Sequence, residues 1–299
     1  MMSSIDHNLT IAVAAGKGGT GKTLIACSLA QALSRQRPGA VQLLDCDVEE
    51  PNAEILLHPE IAGREVVNIL VPEVDQDECI HCKKCAHVCE VGAIAAIGEA
   101  VVTFHDLCSG CGACAWVCPT GAIEEVPLPI GEVVRGRSPE GVEFHQGRLE
   151  VGHQRSGPVT RAVKRAISSE MITITDAPPG TACPMQEAVE DSDYCILVTE
   201  PTPFGLANLR EAVDTCRRMQ IPCGVIVNRD RDGYEQMDEY IAAEELTVLL
   251  RVPERRAIAE AYSRGETLIG ATDEWRDELI DAYDTIAEQA AVQPASPGA

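Results

Sequence analysis

The chain has 299 residues, of which 45% are hydrophobic and 24% charged, as in a globular protein of one or two domains. Its formal net charge of −23 opposes binding to phosphate backbones and to anionic lipid headgroups. Aromatic residues make up only 3% of the chain, too few for a platform that stacks bases. We therefore expect no nucleic-acid partner and no membrane partner.

Fourteen cysteines occur in the chain, and eight of them fall between Cys79 and Cys118. No stretch approaches the roughly 18 apolar residues of a membrane span, and the first residues do not form a signal peptide. These features predict a cytoplasmic protein. In that reducing compartment a dense group of cysteines is typical of metal binding rather than of disulfides.

Apolar segments of strand type alternate with amphipathic helical segments along most of the chain. The predicted strands are Thr10–Ala14, Val41–Leu44, Met171–Thr175, Tyr194–Thr199 and Cys223–Val227, with a further one in Glu245–Val252. The predicted helices are Leu24–Gln36, Val159–Ser168, Leu206–Met219, Glu254–Arg264 and Asp273–Ala290. This alternation predicts an α/β fold with a mostly parallel, doubly wound sheet that is covered on both faces.

The alternation stops between residues 75 and 125, where cysteines, glycines and short strands predominate. We interpret residues 75–125 as an inserted α+β domain. Residues 1–74 and 126–291 then form the two parts of the main domain, with a hairpin or two expected before the Val159–Ser168 helix. Residues 292–299 should form a disordered tail.

A glycine-rich loop follows the first predicted strand. Residues 16–23, GKGGTGKT, fit the phosphate-binding pattern G-x-x-x-x-G-K-[ST] between a strand and a helix. In this pattern backbone N–H groups and the helix N-terminus bind the phosphates, Lys22 reaches the terminal phosphates, and the Thr23 hydroxyl binds Mg²⁺. The predicted cradle for the nucleotide is Gly16, Lys17, Gly18, Gly19, Thr20, Gly21, Lys22 and Thr23.

The second lysine of this loop, Lys17, makes it resemble the deviant Walker A loop of the MinD/ParA/Mrp ATPase family, whose relatives include the nitrogenase iron protein. Asp45-Cys46-Asp47 resembles switch I of that family, and Asp176-Ala177-Pro178-Pro179-Gly180 resembles switch II. The resemblance covers about residues 9–75 and 145–290. It implies a P-loop NTPase fold and ATP hydrolysis.

The same resemblance implies roles for individual residues in hydrolysis. Lys17 would contact the phosphates of a partner in a nucleotide-sandwich dimer, formed with a second copy or with a paralogous ATPase. Together with Lys22 it would belong to the catalytic group. Asp47 would orient the attacking water, and Asp176 would hold Mg²⁺ through water.

Three further positions match residues that contact the nucleotide in that family. The Gly180 amide would sense the γ-phosphate. Asn228 would read the adenine, and Pro253 lies in the loop that would close over the base.

The cysteines of the predicted insert form a duplicated run. The spacing C-x2-C-x2-C-x3-C starts at Cys79 and again at Cys108, which is the spacing of bacterial ferredoxins with two [4Fe-4S] clusters. In that pattern the fourth cysteine of each run serves the other cluster. Cluster one would take Cys79, Cys82, Cys85 and Cys118, and cluster two would take Cys108, Cys111, Cys114 and Cys89.

Two features of these runs bear on the metal and on its potential. Zinc sites normally use paired C-x2-C units with a spacer, so three cysteines at successive x2 steps favour iron. Glu90 follows Cys89 where the ferredoxin pattern has proline, which leaves the potential of cluster two open.

The combination resembles the MinD-superfamily ATPases with an inserted ferredoxin domain. Our leading hypothesis is an ATPase that couples nucleotide-driven dimer closure to electron transfer towards a redox partner or metalloprotein. The alternative is an ATPase for metal or cluster assembly and delivery, resembling Mrp and CooC. Spatial positioning as in MinD is disfavoured because the final predicted helix is acidic rather than basic.

Cys183 lies seven positions after Asp176, the offset at which the nitrogenase iron protein places a cluster ligand. That relative supplies a second cysteine from upstream, whereas no cysteine occurs here between Cys118 and Cys183. We expect a capping or packing role for Cys183. Transient binding of a metal cargo and a metal bridging two chains are the alternatives.

Overall fold

The computed structural model describes residues 8–231 and 234–292. The described residues form two compact units. Unit 1 comprises the described parts of 1–64, 133–148 and 160–299, and unit 2 comprises 65–132 and 149–159. The predicted tail at 292–299 lies outside the described residues, apart from the backbone of Val292, which ends the last helix.

The strands are β1 (Thr10–Ala14), β2 (Val41–Asp45), β3 (Glu60–Val74), β4 (Ile94–Ile97), β5 (Ala100–Thr103), β6 (Ile123–Arg137), β7 (Glu143–Leu149), β8 (Ile172–Asp176), β9 (Tyr194–Thr199), β10 (Cys223–Asp230) and β11 (Thr247–Pro253). The helices are α1 (Lys22–Gln36), α2 (Ala53–Leu57), α3 (Lys84–Val88), α4 (Ala113–Trp116), α5 (Gly157–Lys164), α6 (Cys183–Val189), α7 (Pro203–Arg218), α8 (Glu235–Ala243), α9 (Arg256–Ser263), α10 (Leu268–Ala271) and α11 (Glu274–Val292). In the described part of the chain, none of these helices is long and apolar enough to cross a membrane.

The large sheet has nine strands in the order β11-β10-β9-β1-β8-β2-β7-β6-β3. All pairs from β11 to β7 are parallel. The strands β2, β8 and β9 are buried along their whole length, as expected for strands covered on both faces. The predicted α/β fold with a large, mostly parallel sheet is therefore confirmed.

The carboxyl ends of β1, β2 and β8 come together at one edge of this sheet. In β8, Thr175 and Asp176 pair with Leu44 and Asp45 of β2, and Asp176 also pairs with Val13 of β1. Loops that follow parallel strands meet at this edge, which is where ligands bind in folds of this class. The topology thus places the glycine-rich loop and both acidic segments side by side.

Unit 2 is wider than the predicted insert at 75–125. The strands β3 and β6 have 15 residues each, and the chain passes between the units within them. The first seven residues of β3 are all exposed, so this half of the strand has no apolar alternation to reveal it. The five-residue connection 138–142 joins β6 to β7, which is too short for a parallel crossover.

The backbone of unit 2 repeats itself after 29 residues, as its cysteines do. His81 and Lys83 have φ values of 54° and 62°, and the equivalent Gly110 and Gly112 have 69° and 72°. The N–H of Phe104 donates a hydrogen bond of 2.8 Å to the carbonyl of Ala93, and the N–H of Asp75 donates an equivalent hydrogen bond of 2.8 Å to the carbonyl of Ala122. The duplication is therefore structural as well as sequential.

Candidate functional site

The glycine-rich loop connects β1 to α1 at the carboxyl edge of the sheet. Gly19 and Gly21 have φ values of 79° and 93°, a conformation that side chains other than glycine rarely adopt. Gly21 precedes α1, and a Cβ on it would lie 2.4 Å from Nδ2 of Asn228. Gly16 is equally constrained, since a Cβ there would lie 2.4 Å from the carbonyl oxygen of Asn208. The loop thus offers backbone N–H groups and a helix N-terminus to an anion.

Thr23 and Asp176 form the contact where a metal ion would be expected. The Thr23 hydroxyl donates a hydrogen bond of 2.6 Å to Oδ2 of Asp176. The second oxygen, Oδ1, is buried and has no hydrogen-bond partner among the described residues. Desolvation raises the pKa of Asp176 to about 6, although the charge of Lys22 and the Thr23 hydrogen bond oppose it. A hydroxyl beside an unsatisfied buried carboxylate oxygen is a donor set that suits Mg²⁺.

Asp47 follows β2, at the same edge of the sheet. Burial raises its pKa to about 6, and the positive charge of Lys22 opposes this shift. The carboxylate lines the same pocket as Lys22 and Thr23. Asp47 and Asp176 therefore both lie within the electrostatic reach of Lys22.

Asp45 fixes the loop that carries Asp47, a role that the sequence did not reveal. Its carboxylate accepts hydrogen bonds from the backbone N–H groups of Asp47 (3.1 Å), Asn52 (3.1 Å) and Ala53 (3.0 Å). The side chain is fully buried, and desolvation together with the charge of Asp176 raises its pKa well above the usual range. An aspartate that binds backbone N–H groups a few residues ahead is a known device of turns.

Lys17 faces Glu200, at the end of β9, within its own chain. Its Nζ lies 3.0 Å from Oε2 of Glu200, and the other oxygen of this carboxylate lies 2.6 Å from Arg229. The side chain of Glu200 is 13% exposed, against 35% for Lys17. One carboxylate is thus shared by two cations, a contact that nothing in the sequence pattern had indicated.

Two predicted nucleotide contacts are engaged within the protein. The Gly180 N–H donates a hydrogen bond of 3.0 Å to the carbonyl of Ala15. This hydrogen bond would have to break before the N–H could sense a γ-phosphate. The side-chain amide of Asn228 donates a hydrogen bond of 2.7 Å to the carbonyl of Thr20. The side-chain oxygen of Asn228 accepts a hydrogen bond of 2.9 Å from the backbone N–H of Arg229. Asn228 therefore supports the loop as well as facing the pocket.

A pocket of about 340 Å³ joins these groups. Its walls come from the glycine-rich loop, from Asp47, and from Asn228, Pro253 and the apolar side chains of α9. This volume lies in the usual range for small-molecule sites. One end of the pocket is polar and carries the cationic Lys22 and oxygen atoms that could bind a metal ion, and the other end is less polar. Such a pocket suits a nucleoside phosphate.

Comparison with protein families identifies the family of this chain. The CbiA family model, described as the CobQ/CobB/MinD/ParA nucleotide binding domain, matches residues 11–269. The chain belongs to this family.

Individual relatives agree with the family assignment. Two uncharacterised proteins of Methanocaldococcus jannaschii are similar to the chain. MJ0579 is 30% identical over 269 residues, covering 89% of this chain and 93% of its own length. MJ0578 is 32% identical over 225 residues, covering 74% and 78%.

A solved structure gives the same fold. It is the septum site-determining protein MinD of Pyrococcus horikoshii, complexed with Mg-ADP. It superposes with a TM-score of 0.57 at 17% identity and covers 96% of this chain and 99% of its own. The chain accordingly has the P-loop NTPase fold of the CobQ/CobB/MinD/ParA nucleotide binding domain.

This family member also carries two cysteine-lined recesses in unit 2. We define recess one by Cys79, Cys82, Cys85 and Cys118, and recess two by Cys89, Cys108, Cys111 and Cys114. These are the two sets that the spacing predicted, including the exchange of the fourth cysteine between the runs. No sulfur in either set forms a disulfide.

Hydrogen bonds reach several of these sulfurs. The N–H of Ala93 donates to Sγ of Cys89 at 3.2 Å, and the N–H of Gly110 donates to Sγ of Cys108 at 3.4 Å. Desolvation raises the pKa of Cys118, but hydrogen bonds from Thr120 and the backbone N–H groups of residues 120–122 outweigh it and lower the pKa. Donors of this kind stabilise thiolate sulfur.

The charges that line the two recesses differ in sign. Lys83 and Lys84 line recess one, whereas Glu125 lines recess two. Glu90, which replaces the proline of the ferredoxin pattern, is exposed next to Cys89. The remaining cysteine of interest, Cys183, is exposed and begins α6.

Proposed function

We propose that this protein is an ATP-hydrolysing iron–sulfur protein that couples closure of a nucleotide-bound dimer to electron transfer through two [4Fe-4S] clusters. The observation that carries the proposal is the presence, in one chain, of the Thr23–Asp176 pocket and of two recesses with four cysteines each. Family membership supports nucleotide binding, and the cysteine recesses support electron transfer.

The groups around the P-loop would carry out the hydrolysis of ATP. Lys22 and the backbone N–H groups of the loop neutralise the phosphates, and Thr23 with Asp176 would hold Mg²⁺, which shields the developing phosphate charge. Asp47 orients the attacking water. With a pKa of about 6 it is ionised at neutral pH and can accept the proton of that water as the bond to phosphorus forms.

Dimer closure would use Lys17. Its side chain is partly exposed and bound to Glu200, so it can exchange this carboxylate for the phosphates of the facing chain. The partner is a second copy or a paralogue. The occurrence of two similar proteins in M. jannaschii supports a paralogue as one possible partner.

The cysteine recesses suit cubane clusters by the chemistry of their donors. Each cluster, when bound, would accept and release one electron. In the described residues no group of three or more His, Cys, Asp or Glu is placed to hold a single ion. A cubane has no such requirement, because each of its four thiolates binds a different iron atom.

Iron analysis of anaerobically purified protein tests the redox part. We expect about eight iron and eight sulfide atoms per chain, from two cubanes of four. Cys85→Ser and Cys114→Ser should each lose one cluster first, whereas Cys216→Ser, at a buried cysteine outside unit 2, should lose none. About one metal atom per chain, or zinc in place of iron, would refute the proposal. ATP binding should survive all three changes.

A further inference from the structure

Trp116 is exposed in a way that large aromatic side chains rarely are. It is 87% exposed, whereas Trp275, the other tryptophan, is 2% exposed in the core of unit 1. Trp116 ends α4 and stands two positions from Cys114 and two from Cys118. Tryptophan is one of the residue types enriched at the energetic centres of protein interfaces.

Other exposed apolar side chains lie beside recess two. Leu70 and Val91 line it, and both are about half exposed. Leu107, equally exposed, directly precedes Cys108. We call Leu70, Val91, Leu107 and Trp116 the Trp116 surface, because each of them either lines recess two or stands within two positions of one of its cysteines. Among the described residues, ten of the fifteen exposed large hydrophobic side chains belong to unit 2, although it is the smaller unit.

The charge of unit 2 indicates what kind of partner could bind the Trp116 surface. Residues 65–132 and 149–159 contain twelve acidic and three basic side chains. Two of the basic ones, Lys83 and Lys84, line recess one, whereas Glu125 lines recess two and the exposed Glu90 directly follows its Cys89. Like charges repel, so a second copy of unit 2 is a poor partner. A surface rich in Lys and Arg is a good one.

We propose that the Trp116 surface is the docking site for a one-electron carrier protein with an apolar recess for Trp116 and a basic rim for the carboxylates. This inference rests on the proposed function. The electron leaves a reduced cluster and enters the one-electron centre of the partner, so one cluster is oxidised for each centre reduced. Such encounters are small and short-lived, and one aromatic anchor with complementary charge suffices for them.

The test uses cytochrome c, a basic haem protein, as the acceptor. The full-length protein, loaded with iron and reduced with dithionite, is mixed with ferric cytochrome c, and haem reduction is followed in a stopped-flow instrument. Trp116→Ala should lower the second-order rate at least about fivefold, because an interface anchor is lost. Trp116→Phe should retain most of the rate. Val151→Ala, at a fully exposed apolar residue of unit 2 outside both cysteine runs and outside the lining of both recesses, should change nothing.

Two further measurements separate docking from damage to the clusters. The iron content of Trp116→Ala and its rate with benzoquinone, a small neutral acceptor, should equal those of the unaltered protein. The rate with cytochrome c should also fall as salt is added, since the attraction is electrostatic.

Equal rates with cytochrome c for Trp116→Ala and Val151→Ala would overturn the inference, as would a rate independent of salt. An equal loss with benzoquinone would assign Trp116 to the cluster instead. Self-association of the nucleotide-free protein that Trp116→Ala abolishes would make a second copy the occupant and would also overturn it. A protein without iron refutes the proposed function, whereas a loaded protein with normal Trp116→Ala kinetics refutes only the docking site.

Discussion

The contact between Lys17 and Glu200 sets a cost on dimer closure that a single substitution should remove. If Lys17 must reach the phosphates of the facing chain, the 3.0 Å contact with Glu200 has to break first. Glu200→Gln removes the carboxylate charge and leaves a side chain of the same shape. We therefore expect this variant to dimerise more readily with ATP, which is the opposite of what damage to the fold would cause.

The size of the effect follows from the exposure of the pair. Lys17 is 35% exposed, so solvent screens the contact and it is worth about 0.5–1 kcal/mol. Two such pairs break when a dimer of identical chains closes. The dimer should therefore tighten by about 5- to 30-fold, since about 1.4 kcal/mol corresponds to a factor of ten.

Sedimentation velocity across a range of protein concentrations, with Mg²⁺ and a non-hydrolysable ATP analogue, measures this change. Glu244→Gln is the matched control, because it removes the exposed Arg217–Glu244 pair at 2.6 Å, away from the nucleotide pocket. Dimerisation of Glu200→Gln that is unchanged or weaker than that of Glu244→Gln would refute the reasoning.

Three other predictions concern the same machinery. Lys22→Ala should abolish ATP binding by the monomer, whereas Lys17→Ala should keep ATP binding and lose dimerisation and hydrolysis. Calorimetry measures the binding; an equal loss of binding in both variants would show that Lys17 contacts the nucleotide bound to its own chain. Asp176→Asn should stabilise the protein without nucleotide and Mg²⁺ at pH 7.5 by about 1–3 kcal/mol, because a pKa raised to about 6 means that folding disfavours the charged form. Denaturant titrations should show this gain shrinking as the pH falls through 6 and vanishing below about 4, where the carboxyl is protonated in both states; a gain independent of pH would contradict the assignment. Glu125→Gln should raise the potential of the cluster in recess two and leave the other unchanged, because removing a negative charge favours the reduced cluster; an unchanged or lower potential in an EPR-monitored titration would contradict this.

Much of unit 1 could be predicted from the sequence because its central strands are mostly apolar. Tyr194–Thr199 was predicted with its observed bounds, and the edge of the sheet that gathers Asp47 and Asp176 follows from the strand order. The same buried strands fix the acidic residues at their ends. Periodicity and position were therefore enough for these groups.

Other parts of the molecule depend on contacts between distant residues. Glu200 is 183 positions from Lys17, and no local pattern marks it as the partner of that lysine. The role of Asp45 was hidden because an aspartate at the end of a strand looks like a ligand as readily as a support for the next loop. The exposed start of β3 carries no apolar pattern, so the sequence gives no sign that this strand begins at Glu60.

The most direct test of the coupling is the rate at which reduced protein passes electrons to a protein acceptor, measured anaerobically by stopped flow with ATP, with ADP and without nucleotide. We expect ATP to change this rate and ADP to leave it unchanged, and we expect Lys17→Ala to remove the effect of ATP while retaining its iron. A rate that is the same under all three conditions would contradict the account. So would clusters that keep their oxidation state while ATP drives the release of a metal.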